Sequence, residues 1–456
     1  MHVSHTIISI GGIMFVWLLE NVIVRTALLA SASLCALLCF GAGEARSSGF
    51  FLQEQSAAAS GRAFAGDAAA ASDASTIFYN PAGMTRLQGN IQGELGLYMI
   101  APEAKTSDRG STVSVGGGAA QPVGGRSSDQ GFDPSASGNL FVAAPLPQMR
   151  ELWFGLGVTV PFGLKDHYAL DYFGRYDATQ AEFRTIDVAP SIAYRVAPWL
   201  SLGAGLDVQR ADAKLQTALP NPFAPGGPSP ASDGLFEASG GDWGVGFNVG
   251  VLVQPTDRLR VGFSYRSGID HTLKGDSSTE IPGVTASAQG VAASLKLPDV
   301  ASLGAAFDIT PALTLLAQAD YYGWSRFQDI RLKFADGTEQ VIPQNFRNTV
   351  GVSLGAEWKV AMPWTLRAGV EFDPTPSPGS NRSTMIPDSN RTWLALGVSY
   401  DVNEHIAIDM SYAHDFSAAA QINRTDSFPT LSTTVSTKGT TENSSNVVGL
   451  AMRVRY

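Results

Sequence analysis

The sequence predicts an all-β fold: a transmembrane antiparallel β-barrel of about fourteen strands whose lumen holds a small N-terminal hatch. Three observations carry this expectation. Only 16% of the 456 residues are charged while 44% are apolar, and 48 glycines take much of the remaining place. No apolar run of about 20 residues follows residue 42, so a polytopic helical membrane protein is excluded. Large apolar residues instead recur at every second position, and short turns alternate with long polar connections along the chain.

The chain divides into three parts, 1–47, 48–89 and 90–456. In the first, Arg25 precedes an apolar stretch Thr26–Phe40, and Ala45-Arg46-Ser47 supplies small residues at the −3 and −1 positions of a signal-peptidase site before Ser48. The leader is longer than export needs, and a translation start at Met14 or Val24 is the expected reason. Both cysteines, Cys35 and Cys39, lie in it. The exported chain then has no thiol, which excludes disulfide staples, Cys-ligated zinc and cysteine nucleophiles.

Residues 48–89 do not alternate. They are dense in Ala, Gly and Ser, and some forty residues with such small side chains cannot bury a core of their own. A plug inside the lumen is the place that the sequence leaves for them.

From about Ile91 the period is 2. In Trp243–Val251, large apolar residues alternate with Gly or Asn; Leu259, Val261, Phe263 and Tyr265 alternate with Arg260, Gly262, Ser264 and Arg266. The same pattern runs through Leu394–Tyr400 and Ile406–Tyr412. Short turns are expected at Pro147–Glu151, Ala197–Trp199, Pro255–Asp257, Thr310-Pro311, Ala361–Pro363 and Asn403-Glu404. Long polar loops are expected at 102–135, 164–179, 217–241, 274–290, 328–344, 374–390 and 417–444. Strict alternation of the two kinds gives an even strand number with short turns on one rim, the pattern of Gram-negative outer-membrane proteins. Closure leaves no sheet edge unpaired in lipid. The last strand places Val448, Leu450, Met452, Val454 and Tyr456 on one face, and its aromatic end is expected to fit the signal that outer-membrane assembly machinery reads.

Other functions find little support in the residues. A net charge of −10 with no basic stripe is a poor nucleic-acid binder. Gly351-Val352-Ser353-Leu354-Gly355 fits a nucleophile-elbow pattern but falls inside an alternating strand, where the strand-to-helix turn is missing. The histidines beyond the leader, His167, His271, His405 and His414, hold no pair at metal-ligand spacing, and no cofactor motif occurs. The chain is expected not to be an enzyme and to carry no metal. Asp207 and Asp409 lie on the small-residue face and read as solvated lumen lining. A general porin is the remaining alternative from the residues alone, against which the 48–84 segment argues.

Six blocks in order carry a family resemblance: Ser48-Gly49-Phe50-Phe51-Leu52-Gln53-Glu54, Gly61-Arg62-Ala63-Phe64-Ala65-Gly66, Asn80-Pro81-Ala82, Asp242–Asn248, Trp324-Ser325-Arg326-Phe327, and Asn381-Arg382-Ser383 with Ile386-Pro387-Asp388. Over 48–456 the sequence resembles the FadL family of outer-membrane long-chain fatty-acid transporters, which also includes aromatic-hydrocarbon uptake proteins. The resemblance implies a fourteen-stranded monomeric barrel with a hatch, in which Asn80, Pro81 and Ala82 form the hatch motif. It implies passive transport of a hydrophobic ligand through a lumenal pocket and sideways into outer-membrane lipid at a kink in the third strand. That strand is expected at Leu152–Leu164, with Pro161, Phe162 and Gly163 as the break, since proline cannot donate to a ladder and glycine weakens it. The implied ligand contacts are Phe50 and Phe51, with Arg347 as the headgroup cation. The family's second cation falls at Asp212, a departure for which Lys214 is the expected substitute, because Arg210 shares the parity of lipid-side Leu206 and Val208.

Overall fold

The computed structural model describes residues 49–456; the expected signal peptide and Ser48 lie outside the described residues. The alternating segments form fourteen antiparallel strands that close on themselves. In chain order these are β1 (Gln92–Asp108), β2 (Ser135–Leu146), β3 (Met149–Thr159, resuming as Gly163–His167), β4 (Gln180–Ala197), β5 (Leu200–Leu219) and β6 (Gly234–Thr256). Then follow β7 (Leu259–Arg266 and Asp270–Glu280), β8 (Ser287–Lys296 and Val300–Thr310), β9 (Leu313–Tyr322 and Asp329–Phe334) and β10 (Glu339–Pro343 and Thr349–Ala361). The sheet is completed by β11 (Trp364–Asp373), β12 (Arg391–Asp401), β13 (Ile406–Ser417 and Ala420–Phe428) and β14 (Thr433–Arg455). Each strand pairs with the next, and β14 returns to β1 from Gln92↔Arg455 to Asp108↔Gly439.

Closure inverts the burial of a water-soluble sheet. Outward positions are apolar and exposed, as at Leu97 (61%), Val245 (68%) and Leu396 (64%), because their solvent is hydrocarbon. Inward positions of the sheet are polar and buried: Glu94, Asp207, Gln209, Asn248 and Asp409. These carboxylates are not the solvated lining that the sequence suggested. Asp207 and Asp187 both face Arg266, Asp187 at 3.5 Å, and Asp409 takes Arg453 Nε at 2.5 Å. A charge that lipid and hatch shield from water needs a partner.

All six expected short turns join strands where they were placed. Several expected long loops are instead paired strand. The connection between β7 and β8 shrinks to 281–286, that between the second limb of β9 and the first of β10 to 335–338, and that between β13 and β14 to 429–432. Above the bilayer neither face touches lipid, so the apolar alternation fades while backbone pairing persists. The connections 109–134, 168–179, 220–233 and 374–390 remain long.

Three one-turn helices, α1 (Ala57–Ser60), α2 (Asp67–Ala70) and α3 (Thr76–Tyr79), precede a 3-10 turn over Pro81–Arg86. None could persist alone at this length; they pack within the barrel, and inward glycines receive them. A Cβ on Gly262 of β7 would stand 1.8 Å from the Ala68 carbonyl oxygen, and one on Gly250 of β6 would stand 2.0 Å from Asn80 Oδ1. Asn80 is fully buried. Its Nδ2 donates to the carbonyls of Ala68 (2.6 Å) and Val251 (3.1 Å), and its Oδ1 accepts from Ala82 N at 3.1 Å. Asn80 thus caps the 3-10 turn whose first residue, Pro81, has no amide to leave unpaired. The motif locks the end of the hatch to the wall.

Replacing Gly262 by Val is expected to unseat α2 while leaving a heat-modifiable barrel, read as raised ion conductance in planar bilayers. Gly290→Val, whose Cβ would find its nearest neighbour at 3.9 Å, is the matched substitution and should conduct as the unaltered protein does.

Candidate functional site

The ladder between β2 and β3 runs from Leu146↔Met149 at the turn, across a register shift, to Leu140↔Val158 and ends there. Strand β2 continues upward, paired with β1 as far as Ile100↔Ser135. Strand β3 does not follow it. Its pairing with β4 goes from Thr159↔Asp187 directly to Gly163↔Arg184, so four steps on β3 match three on β4. The extra residue is a bulge at Val160-Pro161-Phe162, where the sequence placed the break. Strand 3 starts earlier, at Met149, and runs further, to His167, than the expected Leu152–Leu164.

Such a break exposes backbone groups that lipid cannot satisfy. The start of the hatch supplies the partners. Leu52 N donates to Pro161 O at 2.8 Å, and Gly163 N donates to Phe50 O at 3.1 Å. The Gln55 side chain donates to Val160 O at 2.9 Å while its Oε1 lies 3.5 Å from Val160 N. On the β4 side, Phe162 N donates to Thr185 Oγ1 and Thr185 N donates to Phe162 O, both at 3.1 Å. Residues 50–55 therefore act as a short inner strand for the bulge.

This stitching brings Phe50, Phe51 and Phe162 together. The Phe50 ring meets Trp324, Phe183, Phe327 and Phe162 edge-on, with centroids 5.0, 5.6, 5.6 and 6.0 Å away. Phe51 lies 5.3 Å from Phe162 and stacks on Phe78 at 6.3 Å. Edge-on pairs contribute about 0.5–1.5 kcal/mol each beyond their buried area, so Phe50 is the hub of the apolar interior.

A cavity of about 610 Å³ opens beside this hub. Phe50, Phe51 and Phe183 line its inner part, Ser135, Ser137, Val160 and Gly163 line the two sides of the break, and Lys165, Arg184 and Lys214 stand at its outer lip. Lumen and wall gap are thus one space. A second pocket, of about 90 Å³, extends from Phe50 between Leu273, Leu295, Phe327 and Met385. Carboxylates gather on the lumenal flank, where Glu54, Asp373, Asp388 and Asp415 surround Arg391. Arg391 donates to the Gly49 carbonyl and to Asp388 Oδ1, both at 3.0 Å. Burial pushes the Glu54 carboxyl above the ordinary carboxylate range, against the pull of Arg391.

Of the expected contacts, Phe50 and Phe51 line the cavity and Lys214 reaches its rim. In the barrel register Lys214 stands beside Glu182 and has the parity of lipid-side Leu202 and Leu206, the same objection that the sequence raised against Arg210. Arg347 is not brought there. It is exposed, and its amide bonds Pro376 O at 3.0 Å. The reason is local: β10 is interrupted at 344–348, where Asn345 takes a left-handed φ of 51°, and the alternation does not carry across. Phe346 takes the inward place instead, 4.9 Å from Phe327. Ser353 sits mid-strand, paired with Gln318 and Glu371, in no nucleophile elbow. Gln55 was missed altogether; a glutamine in an alanine-rich segment carries no signal of its partner on another element.

Comparison with known proteins places the chain among outer-membrane transporters. A family model described as outer membrane protein transport protein (OMPP1/FadL/TodX) matches residues 38–456. Outer membrane protein P1 of Haemophilus influenzae is 30% identical over 417 residues, covering 85% of this chain and 89% of the relative. The long-chain fatty acid transport protein of Escherichia coli K12 is 26% identical over 435 residues, covering 88% and 94%. A crystal structure of a FadL homologue from Pseudomonas aeruginosa superposes with a TM-score of 0.80 at 26% identity, over 89% of this chain and 99% of that one. The Pseudomonas putida toluene transporter TodX shares the fold, with a TM-score of 0.66 at 16% identity over 90% and 100% of the chains.

Gln55→Ala leaves the peptide groups of Val160 without their hatch partner, at a cost of about 1–3 kcal/mol. Amide exchange at Val160 and Leu52 should quicken while the ladders elsewhere exchange as before.

Proposed function

The chain belongs to the OMPP1/FadL/TodX family of outer-membrane transport proteins, and from that premise we propose that it takes up long-chain fatty acids or similar hydrophobic molecules passively, through the Phe50 cavity and out sideways at the break in β3. The observation that carries this reading is the continuity of the cavity with the wall gap: the same space is bounded by Phe50 within and by Ser137 and Val160 in the wall. The hatch fills the lumen below, so the gap offers a route that never enters periplasmic water. The energetics favour that route. A chain of about sixteen methylenes would lose on the order of 13 kcal/mol on passing from an apolar site into water, at about 0.8 kcal/mol per methylene. Leaving into the bilayer costs none of it. Lys214 at the outer lip is the proposed contact for a ligand carboxylate.

A second reading, uptake of neutral aromatic hydrocarbons, draws on the carboxylates around Arg391. Carboxyl groups on the cavity's lumenal flank disfavour a carboxylate ligand and are indifferent to a neutral one. The edge-on rings about Phe50 suit a flat apolar molecule equally well.

Labelled oleate and toluene presented to cells lacking their own transporter separate the two. Producing this protein should raise oleate uptake, Phe50→Ala should reduce it, and Lys214→Ala should reduce oleate more than toluene. Arg347→Ala, remote from the cavity, should leave both unchanged. Toluene uptake with no oleate uptake, from a folded heat-modifiable barrel, would support the second reading; uptake of neither would refute both.

A further inference from the structure

The connection between β11 and β12, residues 374–390, resembles an external loop in sequence yet folds inward. Residues 382–389 are buried throughout, and only its tip at Gly379 and Ser380 is exposed. Thr384 ties it to one neighbouring segment. Thr384 donates from both its amide (2.5 Å) and its hydroxyl (2.8 Å) to Asp177 Oδ2. Its carbonyl accepts from the Tyr168 hydroxyl at 3.1 Å, and the Tyr172 hydroxyl lies 2.7 Å from Oγ1. Every polar atom of Thr384 is therefore bonded to the single segment 168–177. That segment is itself held firm: the Tyr168 and Tyr172 rings stack at 4.5 Å, and Arg424 reaches Asp177 at 3.5 Å.

The next two residues turn away from this polar clasp. Met385 and Ile386 are buried in the cluster that contains Phe50, and both line the apolar pocket with Leu273, Leu295 and Phe327. Ile386 also borders the large cavity. They cover the pocket, held on one side by Asn443 of β14, whose amide donates to the Pro387 carbonyl, and on the other by the clasp at Thr384. Because 168–177 continues directly from the upper limb of β3, Gly163–His167, the roof and the break in the wall hang on one element.

We propose that Thr384 is a positioning residue for ligand selection: by docking on Asp177, Tyr168 and Tyr172 it sets where Met385 and Ile386 roof the pocket, and thereby which hydrophobic ligands fit beneath them. This rests on the transport reading above and adds the element that selects among its substrates. A hydrophobic pocket discriminates by volume, so a displaced roof changes the preference between a long flexible chain and a compact ring rather than abolishing passage. Thr384→Val keeps the shape and removes the hydroxyl; Thr384→Ser keeps the hydroxyl.

The test is the ratio of oleate to toluene uptake, measured in cells whose barrels are all heat-modifiable. Thr384→Val and Met385→Ala should each shift that ratio about tenfold, and in the same direction, while Thr384→Ser stays within about twofold of the unaltered protein. An unchanged ratio in Thr384→Val overturns the proposal, as does an equal shift in Thr384→Ser, since a role in folding alone would not depend on the hydroxyl. If Thr384→Val does not reach the membrane, an unchanged ratio in Met385→Ala overturns it. If the unaltered protein takes up neither probe, the transport reading falls first and this inference with it.

Discussion

A peptide group in lipid must find its hydrogen bond within the protein, and at one place the barrel wall does not provide it. Where β3 bulges away from β2, the carbonyls of Val160 and Pro161 and the amide of Gly163 lose the ladder that the neighbouring strand would have offered. Residues 50–55 of the hatch restore all three. Much else in the interior follows from this substitution. It fixes the start of the hatch at the gap, places Phe50 among Phe162, Phe183, Trp324 and Phe327, and makes the lumenal cavity and the opening in the wall a single space. A gap that would be untenable in an empty barrel becomes a stable feature of a plugged one.

The rest of the hatch obeys the same economy of contact. Its helices are too short to stand alone, and inward glycines let its backbone approach where any side chain would collide. Arginine pairs add direction. Arg266 of β7 faces Asp187 and Asp207, donates to the Phe78 carbonyl at 3.1 Å, and lies 4.6 Å over the Phe78 ring. One wall cation thereby faces two lumenal carboxylates and holds α3. Arg62 in the hatch answers it from the other side, paired with Asp67 and 3.8 Å from Glu357 of β10.

How much of this was legible in the sequence depended on what each feature answers to. Strands in lipid answer to lipid, so Trp243–Val251 and Leu394–Tyr400 announced themselves, and turns such as Ala361–Pro363 fixed the strand number. The upper limbs of β7, β9 and β13 answer only to backbone pairing, which has no residue code, and read as loops. Pro161 and Gly163 marked the break because their chemistry opposes a ladder. Arg347 was placed by family resemblance, and the backbone irregularity at Asn345 leaves it exposed, away from the cavity. Residues 374–390 look polar and proline-rich; that they fold inward depends on Asp177, some two hundred positions earlier, and no local pattern reports such a partner. Phe50 was reached by family resemblance, not by periodicity.

The claim at the centre is that the bulge in β3 is the route by which a hydrophobic ligand leaves. Its register makes a direct test available, since four steps on β3 face three on β4 between Thr159 and Gly163. Deleting Pro161 equalises the count and lets β3 run on beside β2, closing the wall while every cavity-lining side chain is kept in the sequence. Uptake of labelled oleate by cells producing this deletion, normalised to heat-modifiable barrel in the outer membrane, should fall to that of cells without the protein. Uptake equal to that of the unaltered barrel would contradict the account and require another path through the molecule.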